Sequence, residues 1–328
     1  MTSDEAAREV SHTVEVAKVT GVESTLAVVT VTYSPGEHLE NFLTSLTSAT
    51  VLPTQVILAD NGSTDGAPEA AEAAHENVRL LRTGGNIGYG GAINRAVARS
   101  TRLRSSSRRE PDVRWHPGSL DEMLDAARRW PRAGSLGPLI HEPDGSVYPS
   151  ARTVPTLASG AGHALLGTVW PANPWTRRYR QENEEISERP VGWLSGSCLL
   201  LRRAAFDSID GFDSRYFMYM EDVDLGDRLG RAGWLNVYVP SAVVTHAKGH
   251  AAGRHPELML PAHHESAYRF QADRHPHGWQ APLRWALRAG LAVRSRVAVA
   301  AAVRERRNGR TDQNIPVGTT VNRGDDDE

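Results

Sequence analysis

Glu221-Asp222-Val223-Asp224 places three carboxylates within four residues, directly after the aromatic run Tyr216-Phe217-Met218-Tyr219-Met220. A carboxylate fixed at such a point can take the proton of an attacking hydroxyl, which is the task of a general base. Two more candidates stand beside apolar residues: Asp112 in Glu110-Pro111-Asp112-Val113, and His246 immediately after Ala242-Val243-Val244-Thr245. Carboxylate and imidazole together can hold a divalent cation, and such a cation neutralises charge on a departing pyrophosphate. The glycine-rich Gly84-Gly85-Asn86-Ile87-Gly88-Tyr89-Gly90-Gly91 lets backbone amides approach phosphate or ribose where no side chain intervenes.

Each of these residues also has a plain structural reading. Asp60 can cap a turn, Glu221 and Asp222 can be acids favoured at a helix N-terminus, His246 can be a satisfied histidine at a strand end, and Trp193 can be core.

These residues need an α/β frame to bring them together. Leu26-Ala27-Val28-Val29-Thr30-Val31-Thr32 suits a strand buried on both faces, and Leu39, Phe42, Leu43 and Leu46 mark a helix after it. Gln55 to Ala59 reads as a second strand running into the turn-forming Asp60-Asn61-Gly62-Ser63, just beyond a strand's C-terminal end, where open α/β sheets bind ligands. Val78-Arg79-Leu80-Leu81 is predicted as a third strand, followed by the glycine loop and a helix over Ala92 to Ala98. Further on come an interrupted strand over Val191 to Leu201, a helix over Asp222 to Gly230, and two strands over Trp234 to Val239 and Ala242 to Thr245. No fixed-period repeat is present, which excludes solenoids and propellers.

Composition narrows the class. Lysine plus arginine number 37 against 39 acids, and the net charge of −2 gives no global pull toward nucleic acid. The lone Cys198, inside Ser197-Cys198-Leu199-Leu200-Leu201, has no disulfide partner in the chain and is expected to be a buried small hydrophobe in a reducing compartment. No basic n-region precedes an apolar stretch and no span-length apolar run occurs, so a cytoplasmic protein, neither secreted nor integral to a membrane, is expected. A dinucleotide dehydrogenase is disfavoured because the glycine loop follows the third strand rather than the first.

Several motifs then share order and spacing with one family: Thr32-Tyr33-Ser34, Asp60 to Gly66, Asn86-Ile87-Gly88-Tyr89-Gly90 with Asn94, Pro111-Asp112, Trp193-Leu194-Ser195-Gly196, Phe217 to Asp224, and His246. Over residues 25–280 the chain resembles the family 2 glycosyltransferases of bacteria, and among them the rhamnosyltransferases. The segments His246 to His250, His263 to Ser266 and Arg274-His275-Pro276 favour the actinobacterial subgroup.

The resemblance implies a GT-A fold, a mostly parallel twisted sheet flanked by helices. It implies that an inverting enzyme moves rhamnose from dTDP-rhamnose to N-acetylglucosaminyl-diphospho-polyprenol. Thr32, Tyr33, Asp60, Asn86, Gly88 and Asn94 would then bind the donor nucleotide, and Trp193, Ser195 and Gly196 the sugar or acceptor. Asp112 and His246 would hold Mg2+ or Mn2+, and Asp222 would be the base with Glu221 beside it. A UDP-hexose donor, or a non-catalytic nucleotide-sugar-binding relative, is kept as an alternative.

One segment departs from the family. Arg102 to Glu110 reads Arg-Leu-Arg-Ser-Ser-Ser-Arg-Arg-Glu, where relatives carry an apolar strand. Unpaired guanidiniums are costly to bury, so the expectation is that the sheet lacks this strand and with it the element presenting Asp112.

The expected organisation is a disordered leader over 1–24, the catalytic domain over 25–278, a basic helical segment over 279–307 and a disordered acidic tail over 308–328. The third of these is either an ordinary packing helix or one lying on anionic lipid at the inner face of the plasma membrane.

Overall fold

The computed structural model describes residues 15–17, 26–99, 105–109, 112–157, 186–246 and 256–312. A short strand β1 (Glu15–Ala17) precedes β2 (Leu26–Thr32), and β2 is buried at every position. Its alternation explains why: Val28 joins the hydrophobic cluster on one face of the sheet, while Val29 and Val31 join the cluster on the other. Helix α1 (His38–Ala49) then covers the first face with Leu39, Phe42, Leu43 and Leu46, all buried. Such side chains are worth roughly 1.5–3 kcal/mol each on burial.

Strand β3 (Thr54–Asp60), helix α2 (Ala67–Ala74), strand β4 (Val78–Arg82) and helix α3 (Tyr89–Arg99) complete a right-hand half in which β2, β3 and β4 run parallel. Ala92, Ile93, Ala96 and Val97 of α3 pack on the second face. The predicted strands and helices of this half match within a few residues.

The polar segment corrects the sequence expectation. Ser105–Arg109 forms β5, parallel to β2 with Leu26 opposite Ser105 and Thr30 opposite Arg109, and antiparallel to β12 (Cys198–Arg202). The sheet therefore keeps its strand at this position. Ladder hydrogen bonds come from backbone groups that every one of these residues carries, and the flanking β2 and β12 bring the apolar side chains. β1 adds to the same region, parallel to β12 and antiparallel to β5, within a leader expected to be without structure. Asp112 consequently sits just past the end of β5.

The second half is mixed. β6 (Val113–Trp115), α4 (Ser119–Arg129) and β7 (Ala133–His141) lead to the short β8 (Val147–Tyr148) and β9 (Ala151–Arg152). After residue 185 come β10 (Arg189–Val191), β11 (Trp193–Leu194), β12, α5 (Arg203–Ser208), α6 (Glu221–Arg231) and β13 (Leu235–His246). The order across the sheet is β10-β13-β7-β12-β1-β5-β2-β3-β4. β13 is one strand rather than the two expected, because a register shift between Val239 and Val243 absorbs Pro240, Ser241 and Ala242. Cys198 is buried and outside any disulfide, as expected.

Helices α7 (Pro256–Arg274) and α8 (Ala281–Asp312) close the described chain and pack on each other. α8 extends five residues past the expected boundary at 307. The remaining leader and tail expectations fall outside the described residues.

Candidate active site

The loops that leave the C-terminal ends of β2, β3 and β4 are laced together. Thr32 is fully buried and its hydroxyl donates to Asp60 Oδ1 at 2.9 Å. The Asp60 carboxylate also accepts from the amides of Gly62 and Ser63 at 3.2–3.3 Å and from the Ser63 hydroxyl. Both its oxygens thus build the turn, so Asp60 shapes the 61–66 loop. Ser34 N donates to Ser63 Oγ at 2.8 Å and Gly36 N to Asp65 Oδ2 at 2.7 Å, which binds the loop after β2 to the loop after β3. Tyr33 is buried at the junction.

Asn61 reaches across to the glycine loop, donating to Gly88 O at 3.2 Å and to Asn86 Oδ1 at 3.4 Å. Asn86 is exposed and its Oδ1 accepts from Gly88 N at 3.1 Å. Gly88 has φ +77°, and a Cβ there would stand 2.5 Å from Phe217 O. Only glycine allows that approach of the donor loop to the turn before α6.

That turn carries the acids. Tyr219 and Met220 both take φ 66°, an uncommon pair of left-handed residues. They bring Glu221 and Asp222 into the first turn of α6, where the helix dipole favours negative charge. Asp222 Oδ2 accepts from Gly196 N at 3.0 Å and Oδ1 from Val223 N at 2.8 Å. Gly196 O in turn accepts from the Tyr89 hydroxyl at 2.8 Å.

Burial raises the Asp222 carboxyl, while the amides of Gly196 and Val223 and the charge of Arg152 act in the opposite sense. Glu221 is 5% exposed and its Oε2 has no hydrogen-bond partner. Burial, and then the Asp222 charge, pushes Glu221 up to about 8. Of the two, Asp222 has the partners that stabilise an anion, so at neutral pH the proton resides on Glu221 and the charge on Asp222.

Asp112 and His246 meet, as the family resemblance implies. His246 ends β13 opposite Val113, and its Nε2 lies 3.3 Å from Asp112 Oδ2, with both side chains nearly buried. Burial alone would lower the His246 pKa, but the Asp112 charge and hydrogen bond outweigh it and the net shift is upward. Asp112 Oδ1 is buried without a partner. An orphaned carboxylate oxygen beside an imidazole is a donor set that suits a divalent cation, with substrate phosphates completing its shell. Among the described residues no group of three or more His, Cys, Asp or Glu converges.

Two expected contacts are corrected. Asn94 does not line the cleft: its Nδ2 donates to Phe212 O at 2.7 Å and its Oδ1 accepts from Phe212 N at 3.0 Å, so the whole amide is used in clamping one backbone residue. Trp193 does not face a sugar. It is 4% exposed, packs with Tyr216, Val223 and Phe270, and donates from Nε1 to Thr153 O at 3.0 Å. Gly226 makes this closure complete, since a Cβ there would lie 2.6 Å from Trp193 Cβ. Ser195 is buried too, hydrogen-bonded to Ser150 O through its amide and paired with Ser197 through its hydroxyl.

Sequence reasoning missed Arg152. Its guanidinium lies over the rings of Trp193 and Tyr148 at 5.2 and 5.3 Å, and β9 pairs it with Trp193. Only the antiparallel pairing of two two-residue strands brings it near Asp222, and no local motif signals that. Helix α7 was also missed as a support: Ser266 Oγ donates to Met218 O at 2.9 Å, and Arg274 pairs with Asp227.

Comparison with known proteins agrees with this geometry. The family model for glycosyl transferase family 2 matches residues 27–210, and one described as glycosyltransferase like family 2 matches residues 174–259. The chain is 61% identical over 292 residues to the N-acetylglucosaminyl-diphospho-decaprenol L-rhamnosyltransferase of Mycobacterium tuberculosis (strain H37Rv), covering 86% of this chain and 95% of that protein. It is 37% identical over 86 residues to the rhamnosyltransferase WbbL of Escherichia coli (strain K12), covering 26% of this chain and 33% of that one. Among solved structures, GalNAc-T7 with UDP, GalNAc and Mn2+ superposes with a TM-score of 0.51 at 14% identity, covering 70% of this chain and 45% of that chain, a likeness of fold.

Proposed function

The chain belongs to glycosyl transferase family 2 and has the GT-A fold, and from that premise we propose that it transfers L-rhamnose from dTDP-rhamnose to N-acetylglucosaminyl-diphospho-polyprenol, a step in building the arabinogalactan linker of a cell wall. The observation that carries the sugar and the acceptor is the identity with the mycobacterial rhamnosyltransferase over nearly its whole length.

The donor nucleotide lies against the loops built by Thr32, Tyr33, Asp60, Asn86 and Gly88. The acceptor hydroxyl gives its proton to Asp222 while its oxygen attacks the anomeric carbon. The bond from that carbon to the diphosphate breaks, and the configuration inverts. Asp222 suits the task because two amides aim its oxygens and Glu221 holds the pair's proton. Asp112 and His246 would hold a Mg2+ or Mn2+ ion, which would neutralise charge on the departing diphosphate. Gly196 and Ser195 act from behind, one fixing the base and the other the loop that carries it.

No described helix is long and apolar enough to cross a membrane. The lipid-linked acceptor gives the enzyme its place at the inner face of the plasma membrane.

The test is transfer to a synthetic N-acetylglucosaminyl-diphospho-polyprenol, with dTDP-rhamnose competed against UDP-glucose, UDP-galactose and UDP-N-acetylglucosamine. Product from dTDP-rhamnose alone is expected. Turnover only with a UDP-hexose would remove the rhamnose assignment and keep the family. Binding without turnover from every donor would remove the catalytic reading.

A further inference from the structure

Helix α8 turns the wrong face outward for an ordinary packing helix. Trp285 is 73% exposed, Val293 58% and Val297 64%, whereas Ser295 is buried. At 100° per residue, Trp285, Val293, Arg296, Val297, Val303 and Arg304 fall within an arc of about 120°. All six are exposed. Trp279, at 79% exposure, stands just ahead of the helix and stacks on His277.

The charge on this surface has one sign. No Asp or Glu occurs between Trp279 and Arg304, although the whole chain carries a net charge of −2. Arg288 and Arg296 are exposed with Arg304, and Arg288 also lies over Tyr268 of α7 at 5.4 Å. Apolar side chains, two tryptophans and arginines without acids are the composition that seats a helix at the boundary between headgroups and acyl chains. Water alone gives no reason to expose such a face along several turns.

We infer that the outward face of α8 is a docking surface for an anionic lipid bilayer, with Trp279 and Trp285 entering the interface and Arg296 and Arg304 meeting the headgroups. The inference rests on the reading of a lipid-linked acceptor and adds to it a surface and an orientation. α8 packs on α7, and α7 holds the catalytic turn through Ser266 and Met218. Docking of α8 therefore fixes the turn that carries Asp222 relative to the membrane from which the acceptor is presented.

The test is flotation of the full chain with vesicles of phosphatidylcholine, with and without phosphatidylglycerol, at low and high salt. The wild-type protein is expected to float with the anionic vesicles and to be released by salt. R296Q/R304Q is expected to partition about thirtyfold more weakly, and W285S/V293S roughly tenfold more weakly. Both variants should keep wild-type transfer to a water-soluble, short-chain acceptor, which shows that they are folded.

Flotation needs no donor, so it reports on docking whichever sugar is transferred. Three results would overturn the inference: a wild-type chain that stays behind, variants that float as the wild type does, or sedimentation showing that W285S/V293S splits a dimer. The last would assign this face to a second copy of the chain.

Discussion

Tyr89 and Asp222 grip the same residue from either side: the Tyr89 hydroxyl donates to Gly196 O at 2.8 Å, and Gly196 N donates to Asp222 Oδ2 at 3.0 Å. The helix that opens at the glycine loop is thereby joined to the carboxylate proposed as the base. Gly196 lies between two side chains that are 133 positions apart in sequence, as their numbers give.

Asp222→Asn keeps an oxygen for the Gly196 amide and removes the proton acceptor. Transfer is expected to fall by ~10²–10⁴ while melting temperature and donor affinity stay near wild type. Calorimetry beside a single-turnover assay checks this. A variant that retains most of its turnover would take the base away from this position.

Glu221 binds a proton in the folded protein up to about pH 8, whereas an unfolded glutamate releases it near its ordinary value of 4.5. Between those values the native state holds more protons than the unfolded one, so this residue's contribution to stability falls as pH rises through that window. Glu221→Gln removes the penalty. Its melting temperature should match wild type near pH 5 and exceed it near pH 8 by on the order of a few degrees. Parallel curves for the two proteins would contradict the assignment of the proton.

His246→Gln and Asp112→Asn each remove one of the two converging donors. Mn2+ binding, followed by the paramagnetic resonance of the free ion, should weaken by roughly 10–100-fold, with a matching loss of transfer restored in part by excess metal. Wild-type activity that survives EDTA would separate this pair from metal binding.

Gly88→Ala places a methyl against Phe217 O and asks a residue with a side chain to take φ +77°. The strain alone costs about 1–2 kcal/mol, and backbone must shift to relieve the clash. A lower melting temperature is expected together with a raised KM for the donor, because the displaced atoms join the donor loop to the catalytic turn. A change in stability with donor KM untouched would place the loop outside the donor site.

Arg152→Ala removes a positive charge that lowers the Asp222 pKa and a cation stacked on Trp193 and Tyr148. Without it Asp222 ionises at higher pH, so the acid limb of the pH–rate profile should move upward. Arg152→Lys should restore part of the shift. An unmoved profile with lower stability would leave Arg152 a purely structural residue.

Much of the frame could be read from residue order. β2 announces itself by apolar residues at consecutive positions, and α1 by Leu39, Phe42, Leu43 and Leu46 at helical spacing. β5 was not readable, because Ser105 to Arg109 carry no apolar signal while backbone pairing to β2 and β12 is what makes the strand. β13 read as two strands because Pro240-Ser241 breaks the apolar run, and a bulge repairs the break in space.

Asp112 and His246 could be paired from sequence only through the family resemblance, since the run before Asp112 is polar. Asn94 and Trp193 were given the wrong neighbours. A motif residue and a clamp look alike until the Phe212 backbone and the Gly226 gap are in place.

The matches to the family's models end at residue 259, inside α7 rather than at its edge. Yet Ser266 and Phe270, further along that helix, are what brace Met218 and Trp193, next to two consecutive left-handed residues that favour relaxation if released. A chain trimmed at the family boundary would keep its sheet and lose the splint on its catalytic turn. The working unit of this enzyme is therefore longer than the stretch the family models match, and a piece cut to that stretch would leave out the helix that steadies its loops.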